Sequence, residues 1–308
     1  MITKLLRTAL FFVSLIALTT VANAENASKI KGIYITQWNF ENTHFLNYLI
    51  KRAKASGVDT FVVDLELLPS KQYEKNLQLL RDNDIKYVAR IIMFPDGAKP
   101  EQVDNPERWQ RKYRLVKQAV DWGADEIQLD YIRYSSKQKP SPENAKKIFA
   151  IIQWYKSKLP EDVPLEIDVF GVASYGESKY IGQNIKLFSQ TVDAVCPMVY
   201  PSHFTPFAQH FNTPYETVYG SLSSIKKQFK SEIPIKVYAY IELSNYHYRM
   251  SHTKTLEYIK AQLRAVNEAG ADGWYAWSAH NRYDNLFNVL ESEKNAETPK
   301  TKTVAESD

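Results

Sequence analysis

The strongest constraint on the fold is a unit that recurs along the chain. Each copy has a short apolar run, a polar loop, an amphipathic helical stretch, and a Gly or Pro before the next run. Eight apolar runs can be read, at 32–36, 60–65, 87–94, 125–134 (through Ile127 and Leu129), 165–170, 194–200, 235–241 and 273–277. Helical stretches follow them at about 45–55, 73–82, 107–122, 143–158, 184–190, 215–229, 255–269 and 285–290. Alternation of this kind specifies parallel strands joined by crossover helices. Eight units in about 260 residues is the size of a closed ring, so the expected fold is α/β, a single-domain (β/α)8 TIM barrel. The competitor is a doubly wound open sheet. That fold cradles a phosphate on a glycine-rich turn after its first strand, and Thr36-Gln37-Trp38-Asn39 stands there instead.

The two ends read differently from the middle. Lys4 and Arg7 precede an apolar stretch at 10–18, and Ala22-Asn23-Ala24 has the small-residue spacing of a cleavage site. Residues 1–24 are expected to be a signal peptide, 25–292 the barrel, and 293–308 a disordered tail without an apolar run. The apolar stretch is short for a membrane span, so no stable insertion is expected after cleavage. The mature chain is expected in a periplasm or outside the cell. The formal charge is +4, falling to +2 without Lys4 and Arg7, and Lys and Arg are not clustered among aromatics. Nucleic acid is therefore not an expected partner. Cys196 is the single cysteine, which rules out an internal disulfide and a zinc framework.

In a parallel barrel the C-terminal strand ends form the floor of the active site. Those ends carry the polar residues here. The first reaches Trp38, the second Asp64 and Glu66, and the third holds Arg90. The fourth ends in Asp130, Tyr131 and Arg133, and the fifth holds Asp168. The sixth ends in Tyr200, Ser202 and His203, the seventh in Glu242, and the eighth in Trp277, Ser278, His280 and Asn281. The opposite ends show Gly57-Val58-Asp59, Gly123-Ala124-Asp125 and Gly270-Ala271-Asp272. These read as turns that close a helix and start a strand, so their aspartates are expected to be structural.

Asp64, Asp130, Asp168 and Glu242 thus converge on one mouth. Glycoside hydrolysis uses two carboxyl groups, one protonated to serve the leaving oxygen and one ionised. Like charges crowded in a low-dielectric cleft push their pKa values apart and so divide those roles. Asp130 is expected as nucleophile or base, with Glu242 or Asp168 as the acid. Strands four and seven face each other across the mouth, whereas four and five are neighbours. Glu166, two residues before Asp168 on the same face, is expected deeper and structural. Arg90 and Arg133 are expected to hold a carboxylate ionised. Trp38, Tyr200, His203 and Trp277 are expected to bind substrate, in a chain rich in aromatics (20 Tyr, 14 Phe, 6 Trp) that suit flat sugar faces.

Several stretches also resemble a known family. They are Gly32-Ile33-Tyr34-Ile35-Thr36, Ala89-Arg90-Ile91, Asp125-Glu126-Ile127-Gln128-Leu129-Asp130-Tyr131-Ile132-Arg133, Asp168-Val169-Phe170-Gly171, Pro197-Met198-Val199-Tyr200-Pro201-Ser202-His203 and Asn281-Arg282-Tyr283. Together they look like the bacterial "putative glycosyl hydrolase" domain family, over about residues 31–283. The resemblance implies a TIM barrel and a glycosidase. The chain departs from the family at the seventh strand, where Ile241-Glu242 stands in place of a Gln-Asp pair.

The expected function is an exported glycoside hydrolase that cleaves a bacterial or environmental polysaccharide by a two-carboxylate mechanism, with no cofactor and no metal. Two other readings use the same residues. One is a non-catalytic polysaccharide-binding barrel that assists surface-glycan export or assembly. The other is a metal-dependent polysaccharide deacetylase, for which no H-E-x-x-H or comparable spacing is present.

Overall fold

The structure, a computed structural model, describes residues 29–66, 69–230 and 232–297. The expected signal peptide and the final residues of the expected tail lie outside these. Eight strands run β1 Ile30–Ile35, β2 Thr60–Asp64, β3 Lys86–Ile92, β4 Glu126–Asp130, β5 Leu165–Phe170, β6 Ala194–Met198, β7 Lys236–Glu242 and β8 Gly273–Trp277. Each is parallel to the next, and β8 pairs with β1, which closes the barrel. The helices α1 Thr43–Ser56, α2 Lys71–Arg81, α3 Tyr113–Asp121, α4 Pro142–Lys156, α5 Ile185–Phe188, α6 Pro214–Lys227, α7 His252–Glu268 and α8 Asp284–Glu297 follow the strands in turn. The architecture is a (β/α)8 TIM barrel.

Local chemistry sets the helix limits. Asn42, Ser141 and Ser251 cap α1, α4 and α7 by accepting from an N–H of the first turn. Gly57 closes α1 at φ 76, a conformation cheap only for glycine. Alternation along each strand divides the core in two. Outward residues such as Ile33, Val63, Ile127, Leu129, Ile167 and Ile241 join the helices in one buried layer. Inward residues such as Tyr34, Val62, Val88, Tyr240 and Tyr275 fill the barrel. Gly32 is required there, because an added Cβ would lie 2.5 Å from the Tyr275 ring.

The barrel floor is polar and satisfied. Glu166 accepts from Gln128 Nε2 at 2.7 Å, Tyr275 Oη at 2.9 Å and Cys196 Sγ at 3.4 Å. Burial, and then Glu126, push its carboxyl well above the usual carboxylate range. These bonds give Glu166 the structural part expected of it. The turn aspartates latch the N-terminal edge. Asp59, Asp125 and Asp272 accept the backbone N–H groups of Lys31, Tyr87 and Val237, and Asp193 does the same for Leu165.

Two stretches depart from expectation. The helix expected over 107–122 is broken into Pro106–Gln110 and Tyr113–Asp121. At the break, Trp109 is drawn inward to the Val103 carbonyl, and Lys112 Nζ donates to the Ile92 carbonyl. The last helix runs past 290 to Glu297, so residues 293–297 are helical rather than part of a tail. Leu286, Phe287, Val289 and Leu290 anchor it on the core, and once nucleated it propagates through good helix formers. Among the described residues, no helix is long and apolar enough to cross a membrane.

Candidate active site

The C-terminal mouth opens into a cleft of about 510 Å³, lined in part by Arg90, Asp130, Asp168, Phe170, Tyr200 and Trp277. A larger hollow of about 800 Å³ lies at the other end of the barrel, between Lys226, Lys236 and Asp272. None of the strand-end carboxylates of the mouth reaches it. The smaller cleft is the one at which the barrel gathers its charged side chains.

Arg90 is the centre of that cluster. It projects from the middle of the barrel and is buried. Its Nη1 donates to Asp64 Oδ1, its Nη2 to Asp130 Oδ2, and its Nε lies 3.5 Å from Asp168 Oδ2. The three aspartates come from β2, β4 and β5. A buried cation with three buried carboxylates carries a net negative charge, and proton uptake is the cheapest relief. Asp64 is pushed above the usual carboxylate range by burial, against the pull of Arg90. Its Oδ2 accepts from the Tyr34 hydroxyl.

Asp168 is pushed well above that range by burial and by Asp130, and Arg90 only partly offsets them. Its Oδ1 is buried with no hydrogen-bond partner, as a carboxyl oxygen awaiting a proton would be. Asp130 differs, since both its oxygens accept charge-assisted or backbone hydrogen bonds. Oδ2 takes Arg90 and Oδ1 takes the Tyr131 N–H. Register explains the juxtaposition. Gln128 pairs with Glu166, so Asp130 and Asp168, two residues further on, stand side by side.

The aromatic wall starts beside Asp168, after β6, and continues round to β8. Tyr200 and Trp277 stack with centroids 5.5 Å apart, and His203 meets Tyr200 edge-on at 5.3 Å. Burial lowers the His203 pKa, so its neutral form is favoured. Tyr131, at φ 52, sits on the carboxylate side of the cleft.

Three expected site residues are placed elsewhere. Glu242 ends β7 but does not line the cleft. Its Oε1 accepts from the Ser202 N–H at 2.9 Å and from Tyr258 Oη at 2.6 Å, and its Oε2 from Ser202 Oγ at 2.5 Å. These donors, from the turn after β6 and from α7, engage both of its carboxyl oxygens. Burial still pushes it up to about 7. Arg133 makes no ion pair with a mouth carboxylate. Its Nη1 donates to the Tyr134 carbonyl, and the guanidinium stacks on Phe170 at 4.5 Å and Tyr131 at 5.5 Å. It braces Tyr131 and Phe170 on the carboxylate side of the cleft. Trp38 lies on a short helix, Gln37–Glu41, and is 82% exposed outside the cleft wall. The capping Thr36 starts that helix and swings Trp38 off the mouth.

Sequence reasoning passed over Tyr34, Tyr240 and Phe170, all of which shape the cluster. Tyr34 also carries the Arg90 guanidinium on its ring face at 5.0 Å. Their inward parity, shared with Arg90 and Asp168, was the available signal.

This fold and this mouth define an α/β barrel of the kind that glycoside hydrolases use. The sequence matches the family described as "Putative glycosyl hydrolase domain" over residues 101–283, and the chain belongs to that family. Solved structures share the barrel at low identity. The endo-beta-1,4-mannanase from Thermotoga petrophila is 9% identical, with a TM-score of 0.63 over 87% of this chain and 76% of that one. The spore cortex-lytic enzyme SleL of Bacillus cereus is 13% identical, with a TM-score of 0.62 over 85% and 73%. The PgaB (BpsB) glycoside hydrolase domain of Bordetella bronchiseptica is 10% identical, with a TM-score of 0.60 over 86% and 99%. No curated protein matches the sequence.

Proposed function

We propose that the protein is an exported glycoside hydrolase acting on a bacterial or environmental polysaccharide. The observation that carries this reading is the pairing of Asp130 and Asp168 on Arg90 beneath an aromatic wall. Asp168, held protonated by burial and by its neighbour, gives its proton to the leaving glycosidic oxygen. Asp130, held in place by Arg90 and the Tyr131 N–H, stabilises the positive charge that develops at the anomeric carbon. Tyr200 and Trp277 present ring faces to the sugar. Asp64 holds the other arm of Arg90 and so positions the pair.

The binding-barrel reading keeps the aromatic wall but gives no reason to bury an unpaired Asp168 oxygen beside a second carboxylate. For the deacetylase reading, the centre of the three aspartates is taken by the Arg90 guanidinium, in the place where a cation would sit. The test is a screen of purified protein against bacterial exopolysaccharides, with new reducing ends as readout. Wild type should release them and Asp168→Asn should not. Equal release by both would sink the assignment of the acid, and binding without release would favour the non-catalytic barrel.

A further inference from the structure

A pair of carboxylates that works from both sides of a scissile bond stands about 5–5.5 Å apart in retaining enzymes and roughly 6.5–9.5 Å in inverting ones. In both cases the sugar ring or a water lies between them. Asp130 and Asp168 are not arranged that way. They sit on adjacent strands at the same level and share one guanidinium. They form a single acidic unit on one wall. The rest of the wall, which starts beside Asp168 at β6 and runs through β7 to β8, presents Met198, Tyr200, Tyr240 and Trp277, and no carboxylate among the described residues that line the cleft. Glu242, the obvious candidate for that wall, is committed to Ser202 and Tyr258. Among the described residues that line the cleft, the site therefore has a proton donor and a second carboxyl beside it, but no carboxyl placed across the bond to act as nucleophile.

We propose that the substrate supplies the nucleophile, and that the site cleaves β-linked 2-acetamido-2-deoxyhexosides. This rests on the hydrolase reading above. The acetamido carbonyl oxygen attacks C1 from the face opposite the leaving group. The C1–O bond breaks, its electron pair goes to the leaving oxygen, and that oxygen takes the proton of Asp168. The resulting oxazolinium keeps its N–H, which Asp130 accepts as a hydrogen bond. Asp168, now ionised, takes a proton from water. The hydroxide attacks C1, the bond from C1 to the acetamido oxygen breaks, and the sugar leaves with retained configuration. Two unspent groups fit these parts. Asp168 Oδ1 has no partner. Tyr200, which follows β6 and lines the cleft beside Asp168, makes no side-chain hydrogen bond among the described residues, and its hydroxyl is left to orient the acetamido carbonyl. An attached nucleophile also gains the large effective concentration of an intramolecular reaction.

The test compares tetramers of N-acetylglucosamine, joined β-1,4 or β-1,6, with glucose and mannose tetramers of the same length, using the full chain. The expected result is cleavage of an acetylated tetramer with kcat/KM higher by roughly 10²-fold or more. Its de-N-acetylated counterpart should resist cleavage, and a thiazoline analogue of N-acetylglucosamine should inhibit competitively. Comparable cleavage of glucose or mannose chains would overturn the inference and leave the hydrolase reading standing. No turnover of any tetramer, together with no thiazoline binding by calorimetry, would overturn both. Tyr200→Phe should lower kcat more than it changes KM. Glu66, the next carboxyl at the rim, gives a second check: Glu66→Gln should remain active, and its inactivity would reveal a protein nucleophile and overturn the proposal.

Discussion

Asp168 gives Arg90 only one of its two oxygens: Oδ2 lies 3.5 Å from Nε, while Oδ1 is buried and unpartnered. A half-satisfied carboxyl in a dry site is cheaper protonated than charged. Replacing it with the neutral, isosteric Asn should keep the fold and remove the proton. Asp168→Asn is expected to lower kcat by roughly 10²–10⁴-fold, as loss of a general acid does, with a thermal midpoint at or above that of wild type. A large fall in midpoint with no specific loss of turnover would contradict it.

The same raised pKa sets a pH dependence. Asp168 must hold its proton to act, so turnover should fall as pH rises through its folded pKa. The sign for stability agrees. A carboxyl with a folded pKa above its unfolded value contributes stability that is fully present below the unfolded pKa and is lost as pH rises through the folded one. Denaturant midpoints measured from pH 4 upward should decline for wild type and decline less for Asp168→Asn.

Among the described residues, Arg90 is the one cation in contact with three buried aspartates, so its loss leaves them without a counter-charge. Arg90→Met should cost about 3–5 kcal/mol at neutral pH, the range for breaking a buried ion pair. The penalty should shrink in mild acid, where the aspartates can take up protons. Urea unfolding at two pH values measures both effects. A pH-independent loss would mean that packing, not charge, is what Arg90 supplies.

Glu242 gives a separable prediction because burial pushes it up to about 7, from 4.5 in the unfolded chain. Its stabilising contribution should be complete below about pH 4.5 and fade as pH rises through about 7. It amounts to about 3 kcal/mol at most, at 1.36 kcal/mol per pKa unit. Glu242→Gln should flatten that part of the stability curve and keep measurable turnover where Asp168→Asn does not. Abolished turnover with an unchanged fold would return Glu242 to the catalytic set.

The latches at the N-terminal edge should affect stability alone. Asp125 Oδ2 accepts the Tyr87 N–H at 2.7 Å, and Asp272 does the same for Val237. Each Ala substitution should cost roughly 1 kcal/mol, and the pair should add, since the sites are independent. Unchanged kcat in the folded double variant would confirm that this face is remote from the chemistry.

The sequence by itself determined the ring and which residues point into it. Two-residue alternation fixes the inward face of every strand, and eight strand–helix units leave few ways to bury the outward one. Asp130, Arg90 and Asp168 were legible for that reason, as were the turn aspartates, whose neighbours in the chain announce a helix end and a strand start. What only the tertiary structure decided is who pairs with whom. Arg90 and Asp168 are 78 positions apart, and Glu242 and Ser202 are 40 apart. A side chain at a strand end turns toward whichever donors meet it when water is excluded, and those donors come from other strands and helices. That is why Glu242 pairs with Ser202 and Tyr258, why Arg133 turned to Phe170, and why Trp38, carried by a short capped helix, went to solvent. Burial energy sets the ring from a local pattern, whereas desolvation of charge sets the site from contacts that no local pattern encodes.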